Sequence, residues 1–124
     1  MAESLLIVED MEDVGRSYMR CLRRYVSKIH VAQTPQEAEA ILSQSDPPTL
    51  LLCDNWLGHG RPLGAELIPR WRKAYPFLSK VALVTGSDLE VVSKVPGVDI
   101  VFEKPPDIDA IIAFFGLAKL DEQE

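Results

Sequence analysis

The residues best suited to binding or catalysis are polar side chains that follow or end short apolar runs: Glu9, Asp10, Asp54, Thr85 and Lys104. Three are carboxylates, one is a hydroxyl and one is an amine, so the set offers metal ligands, a nucleophile and a cation. Carboxylates that lie within a few ångström of one another repel strongly unless a cation or shared protons compensate. If these side chains meet, we expect a metal ion among them.

The ligand atoms favour a particular metal and a particular reactant. Oxygen ligands favour hard cations, and Mg²⁺ uses one or two carboxylates together with waters and phosphate oxygens. A phosphoryl group is therefore the expected reactant. Lys104 would place a positive charge beside a phosphoryl oxygen, and Thr85 would donate a hydrogen bond to it. Asp54 would act as a carboxylate nucleophile and form an aspartyl phosphate.

These side chains meet only if the apolar runs before them are neighbouring strands of one parallel sheet. The runs occupy residues 4–8, 29–32, 49–53, 80–84 and 98–102. The first of them, SLLIV, is continuously apolar, which is typical of a strand covered on both faces. The carboxyl ends of parallel strands share one edge of the sheet, and open α/β sheets bind ligands at that edge.

Helical patterns alternate with the apolar runs. They begin near residues 13, 34, 67, 87 and 108. The second begins with TPQE, in which Thr34 can cap the helix, Pro35 suits its first position and Glu37 can reach back to the cap. Five strands that alternate with five helices predict a doubly wound α/β domain, with a five-stranded parallel sheet and helices on both faces.

Length and composition narrow the classes of protein. A chain of 124 residues, 47% of them apolar, can form one domain, which we place at residues 1–120 before a short acidic tail at 121–124. The net charge of −6 disfavours binding of nucleic acid or an anionic membrane by this chain alone. No apolar run is as long as a membrane span, and acids stand where a signal peptide would be positive. We therefore expect a cytoplasmic protein.

Four short motifs give the sequence a family resemblance. IVED, LLCDNWLGHG, LVTGSD and FEKPP, in this order over residues 4–119, resemble the receiver domain of two-component response regulators. The resemblance implies a flavodoxin-like (βα)5 fold and a role in phosphorelay signal transduction. It implies that Asp54 accepts a phosphoryl group from a histidine kinase or a histidine phosphotransfer protein and that the chain then switches partner binding. It implies no enzymatic activity beyond the chain's own phosphorylation and dephosphorylation.

The resemblance also implies roles for individual residues around the phosphoacceptor. Mg²⁺ would bind the side chains of Asp10 and Asp54, the backbone carbonyl of Trp56 and, through water, Glu9. Lys104 and Thr85 would contact the phosphoryl group.

Further roles follow from the same resemblance. The bond between Lys104 and Pro105 is expected to be cis, which proline makes accessible. The side chains of Trp56 and Ser87 are expected to influence dephosphorylation. A surface at about 88–118 is expected to mediate a homodimer or to contact an output partner.

Two positions depart from the family pattern. Gly58 stands where many receivers have a proline, and Val101 stands where receivers with a threonine–aromatic switch have Tyr or Phe. The neighbouring Phe102 falls at an inward-facing strand position. These departures leave a second function open, that of a receiver-like docking module that works without phosphorylation-driven switching. A flavodoxin-like cofactor protein is disfavoured, because the acidic loop EDMED would repel a phosphate.

Overall fold

The computed structural model describes residues 3–86 and 95–120. Five strands lie within these ranges: β1 (Ser4–Val8), β2 (Lys28–Ala32), β3 (Leu50–Asp54), β4 (Lys80–Thr85) and β5 (Ile100–Glu103). Four helices accompany them: α1 (Glu12–Leu22), α2 (Pro35–Leu42), α3 (Gly64–Ala74) and α4 (Ile108–Phe115). The helix predicted to begin at residue 87, the side chain of Ser87 and the acidic tail all lie outside the described residues.

The strands form one parallel sheet in the order β2-β1-β3-β4-β5. This order confirms the doubly wound α/β fold that the alternation of strands and helices predicted. The direction of the strand order reverses between β1 and β3, because β2 and β3 lie on opposite sides of β1. A crevice for ligands forms at such a reversal, outside the carboxyl ends of the two strands.

Both faces of the sheet are covered by helices. Alternate residues of β1 point to opposite faces, so Leu6 and Val8 pack with α2 and α3, whereas Leu5 and Ile7 pack with α1 and α4. Every residue of β1 and of β3 is buried. Each buried leucine or isoleucine contributes about 1.5–3 kcal/mol relative to an exposed one. The two central strands are therefore the most strongly held part of the domain.

Local sequence explains where the elements begin. Thr34 Oγ1 accepts a hydrogen bond from the Glu37 N–H at 3.1 Å, so Thr34 caps α2 as predicted. Glu37 Oε1 accepts from the N–H of Gln33, one residue before the cap, at 2.7 Å. At α3 the helix begins at Gly64, earlier than the apolar stripe indicated, and Glu66 Oε1 accepts from the Leu63 N–H at 2.9 Å.

The fifth strand begins two residues later than the apolar run suggested. Asp99 explains the difference, because its side chain takes the place of a backbone partner. Asp99 Oδ2 accepts the Val81 N–H at 2.8 Å and the Arg72 Nη1 donor at 2.9 Å, and regular pairing then starts at Ile100 opposite Ala82. Among the residues that the structure describes, no helix is both long enough and apolar enough to cross a membrane.

Candidate functional site

The candidate site lies where the strand order reverses. β1 is followed by Glu9 and Asp10, and β3 ends at Asp54. Val8 pairs with Cys53 across the two strands, so the residues that follow each of them are neighbours. The backbone N–H of Glu9 donates to the carbonyl of Ala32 at 2.9 Å and fixes this corner to β2 as well.

Three carboxylates converge at this corner. One carboxylate oxygen from each of Glu9, Asp10 and Asp54 lies within 4.8 Å of the others. Glu9 is 1% exposed and Asp54 is 4% exposed, while Asp10 is half-buried. The predicted convergence of these acids at the sheet edge is therefore observed, and the burial and crowding of Glu9 and Asp54 make their charges costly.

Burial and crowding change the proton affinities of the two buried acids. Burial and the charge of Asp54 raise the pKa of Glu9 to about 7, although the Met11 N–H, which donates to Oε2 at 3.2 Å, opposes the shift. Burial also raises the pKa of Asp54, with a further contribution from Asp10. The ammonium group of Lys104 and the backbone amide of Trp56 oppose that rise.

Lys104 supplies the positive charge of the site. Its Nζ lies 2.7 Å from Asp54 Oδ1. Burial alone would lower the pKa of Lys104, but the contact with Asp54 and the charges of Glu9 and Asp10 raise it overall, so the amine stays protonated. The backbone N–H of Lys104 donates to the backbone carbonyl of Thr85 at 2.9 Å. The peptide bond from Lys104 to Pro105 is cis, as the resemblance implied.

An open cleft of about 390 Å³ lies against Asp54, with Thr85 and Lys104 among the residues that line it. Thr85 is the last residue of β4 and is buried. Trp56 also lines the cleft, with 55% of its surface exposed. The cleft therefore brings a carboxylate, a hydroxyl and an ammonium group to one space that is large enough for a phosphoryl group.

Two residues that the sequence reasoning missed hold the loop after β3. Asn55 Oδ1 accepts the Ala65 N–H at 2.9 Å, and the Asn55 carbonyl accepts the Gly64 N–H at 2.8 Å. A Cβ on Gly64 would lie only 2.6 Å from the Asp54 carbonyl oxygen, so only glycine fits this close approach. The available signal was an asparagine beside Asp54 and a glycine near the start of a helix.

A second cavity, of about 380 Å³, lies towards β2. Asp10, Gly58 and Arg61 are among the residues that line it. Gly58 has a φ of +118° and Gly60 a φ of +80°, so the loop after Leu57 uses conformations that favour glycine. The sequence motifs pointed to Gly58 but gave no indication of Arg61.

No family model matches the sequence, and no curated protein matches it either. Solved structures with a similar fold do match. The signal receiver domain of an HD domain-containing protein from Pseudomonas fluorescens Pf-5 has a TM-score of 0.81 at 20% identity, with 94% of this chain and 93% of that chain covered. A CheY-like response regulator receiver domain protein from Methanospirillum hungatei JF-1 has a TM-score of 0.80 at 26% identity, with 94% and 92% covered. This chain has the fold of a response regulator receiver domain.

A third neighbour is a response regulator protein from Burkholderia pseudomallei, whose structure contains a phosphorylated aspartic acid, a calcium ion and citrate. The TM-score is 0.79 at 22% identity, and the match covers 90% of this chain but 65% of that one. This receiver fold therefore spans about two thirds of that longer protein.

Within this receiver fold, Val101 and Phe102 are consecutive residues of β5 and face opposite sides of the sheet. Val101 is half-buried and packs on the α2 and α3 side. Phe102 is buried on the α1 and α4 side, and its ring meets the ring of Phe114 edge-on with centroids 6.3 Å apart. The inward position expected for Phe102 is confirmed, so the aromatic ring is part of the core.

Proposed function

We propose that this chain is a phosphoacceptor in two-component signal transduction. Asp54 accepts a phosphoryl group from a histidine kinase or a histidine phosphotransfer protein, with Mg²⁺ as the cofactor, and the phosphorylated chain switches its binding to partners. One observation carries the proposal: the buried Asp54 carboxylate lies 2.7 Å from Lys104 Nζ and shares a cluster, 4.8 Å across, with Glu9 and Asp10. The aspartyl phosphate in the Burkholderia neighbour supports it.

The transfer is a displacement at phosphorus. A carboxylate oxygen of Asp54 attacks the phosphorus atom of a phosphohistidine, an O–P bond forms and the P–N bond breaks. The electron pair of that bond stays on the imidazole nitrogen, and histidine leaves as a neutral imidazole because the other ring nitrogen of the phosphohistidine carries a proton. Asp54 must be ionised to attack, and the ammonium group of Lys104 favours the ionised form. Hydrolysis then returns Asp54 and releases inorganic phosphate.

Lys104 and Thr85 are the residues that we propose to contact the phosphoryl group. Both line the cleft against Asp54. The ammonium group supplies a charge to one oxygen and the hydroxyl a hydrogen bond to another, and both gain strength as negative charge builds up in the transition state. Because these groups act on a group carried by the chain itself, its catalysis is limited to its own phosphorylation and dephosphorylation.

The residues at the corner fit a divalent cation. Their side chains offer only oxygen, and Glu9 Oε1 is buried and receives no hydrogen bond from the described part of the chain. The side chains of Asp10 and Asp54, the carbonyl of Trp56 and, through water, Glu9 would hold Mg²⁺. When bound, Mg²⁺ neutralises the crowded carboxylates and the charge of the incoming phosphoryl group. The calcium ion in the Burkholderia structure supports a divalent site.

The proposal also covers the extent of the receiver unit, its partner surface and its cellular compartment. Residues 1–120 act as one receiver unit, and about 88–118 provide the surface for a homodimer or an output partner. Trp56 and Ser87 tune dephosphorylation. A reducing compartment such as the cytoplasm suits the free, exposed Cys21.

A second candidate function is docking without phosphorylation-driven switching. The position of Val101 favours the docking function, because this aliphatic side chain stands where switching receivers carry an aromatic ring. The neighbouring Phe102 cannot take that place, because its ring packs in the core on the other face of the sheet. In this case the acidic corner would bind a cation, but phosphorylation would not alter partner binding.

Mass spectrometry after incubation with a small phosphodonor and Mg²⁺ tests the leading function. We expect a gain of about 80 Da that hydroxylamine removes, as an acyl phosphate requires. Asp54→Asn should abolish the gain, whereas Asp46→Asn, which changes an exposed carboxylate paired with Lys28, should keep it. An absent adduct in a folded chain that binds Mg²⁺ would favour the docking module instead.

A further inference from the structure

The cavity towards β2 is lined by a positively charged side chain, Arg61, that the proposed phosphotransfer does not use. Lys104 lies in the cleft against Asp54, on the side of β4 and β5, whereas Arg61 and Asp10 line the other cavity. The acidic corner therefore has one positively charged side chain on each side. Only the first of them is within ion-pair distance of a site carboxylate.

The loop after β3 determines where Arg61 lies. The Arg61 N–H donates to the Gly58 carbonyl at 3.2 Å and closes a turn. At Gly58, with its φ of +118°, a Cβ would lie 3.6 Å from Asp10 Oδ2 and 3.6 Å from Arg61 Cδ, and 3.7 Å from Arg61 Nε. The Arg61 side chain and the Asp10 carboxylate thus lie on the same side of Gly58. Both are in van der Waals range of the position that a Cβ on Gly58 would occupy.

We propose that Arg61 weakens divalent cation binding at the acidic corner by placing a positive charge beside Asp10. This inference rests on the proposed function, because it concerns the same metal site. Lys104 offsets the charge of Asp54, so Asp10 is the carboxylate most open to an incoming cation. A guanidinium group that faces this carboxylate repels a divalent ion there and competes with it for the same negative charge. Arg61 is a modulating residue and contacts no reacting atom.

Two features of Arg61 determine how its charge affects divalent cation affinity. The side chain is exposed, so solvent and salt screen its field. The turn also holds the Arg61 backbone beside the corner, so the side chain extends from a point close to Asp10. Divalent affinity should therefore rise when the charge is removed, and this gain should shrink as ionic strength increases.

Isothermal titration of the full chain with MgCl₂ measures the effect directly. At about 0.01 M ionic strength, Arg61→Gln should lower the Kd for Mg²⁺ roughly threefold to tenfold, and Arg61→Lys should stay close to wild type. At about 0.15 M the difference should fall by half or more. Arg23→Gln is the matched control, because it makes the same charge change just beyond the C-terminal end of α1, in a cleft with Lys119.

The outcomes separate this inference from the proposed function. If Asp10→Asn and Asp54→Asn weaken binding but Arg61→Gln behaves like Arg23→Gln, the role of Arg61 is overturned and the metal site stands. Weaker binding in Arg61→Gln would overturn it as well, since it would make Arg61 a support of the site. If the wild-type chain binds no Mg²⁺, or binds it independently of Asp10 and Asp54, both the proposed function and this inference are overturned.

Discussion

The ammonium nitrogen of Lys104 lies 2.7 Å from Oδ1 of Asp54, although the two residues are 50 positions apart in the chain. Asp54 ends β3, and Lys104 follows β5, with β4 between them. The long lysine side chain spans the width of one strand to reach the carboxylate. This ion pair opposes the rise in the pKa of Asp54 that burial causes, and so favours the ionised carboxylate.

Replacing Lys104 with methionine tests the role of this ion pair. We expect phosphorylation by a small phosphodonor to slow by about 100-fold or more, because the variant loses a charge that stabilises the transition state. Lys28→Met, which removes an exposed lysine paired with Asp46, should leave the rate unchanged. Phosphorylation of Lys104→Met at the wild-type rate would contradict the role given to Lys104.

Glu9 should make the fold less stable as the pH rises. Its pKa is 4.5 ordinarily and about 7 in the folded chain, so between these values the folded state binds more protons than the unfolded state. The free energy of unfolding therefore falls as pH increases through this window, by roughly 2–3 kcal/mol in total from Glu9.

Urea unfolding from pH 5 to pH 8 with EDTA present measures this dependence. Glu9→Gln should flatten the decline, whereas Glu3→Gln, at an exposed position near the N-terminus, should retain it. A wild-type stability that stays level or increases across the window would contradict the raised pKa.

Gly64 should tolerate no larger residue. An alanine Cβ would lie 2.6 Å from the Asp54 carbonyl oxygen and 2.9 Å from Leu83 Cδ1, so the start of α3 would have to move away from β3. We expect Gly64→Ala to cost about 2–4 kcal/mol of unfolding free energy. Gly86→Ala is the control, since Lys104 Cδ, at 3.9 Å, is the one atom of the described residues that its Cβ would meet, and its cost should be below about 0.5 kcal/mol. Equal costs in urea unfolding would refute this close approach.

Trp56 should slow the loss of phosphate. Its side chain lines the cleft beside Asp54 and can restrict the approach of water to an aspartyl phosphate. We expect Trp56→Ala to shorten the lifetime of the acyl phosphate by about threefold to tenfold. Because the side chain is 55% exposed, the free energy of unfolding should change little. The measurement is the decay of the phosphorylated mass after the phosphodonor is removed, with Phe77→Ala, a more distant exposed aromatic, as the control. An unchanged decay rate would remove this role.

Much of the fold followed from the sequence because its signals were local and strong. The apolar run at residues 4–8 matches β1, and the positions of Glu9, Asp10 and Asp54 follow from where the strands end. The convergence of these residues required only that the strands be parallel and adjacent. The start of β5 was predicted two residues too early, because the Asp99 side chain replaces a backbone partner and the apolar pattern does not register such a bond.

The β3–α3 loop was the part of the site that sequence patterns did not predict. The position of Arg61 depends on a φ of +118° at Gly58, and a glycine adopts positive and negative φ with similar ease. Composition therefore gives no indication of which way the turn closes. Asn55 and Gly64 act through backbone contacts, which have no periodic signature in the sequence.

The complete burial of β1 and β3 limits how the domain can respond to a new charge on Asp54. Neither strand can shift without opening voids on both faces of the sheet, and close-packed interiors resist such voids. The added charge must be accommodated by the groups at and beyond the strand ends, such as Thr85, which ends β4, and Lys104 and Trp56, which follow β5 and β3. We therefore expect a response to phosphorylation of Asp54 to begin as a rearrangement of these loops while β1 and β3 stay in place.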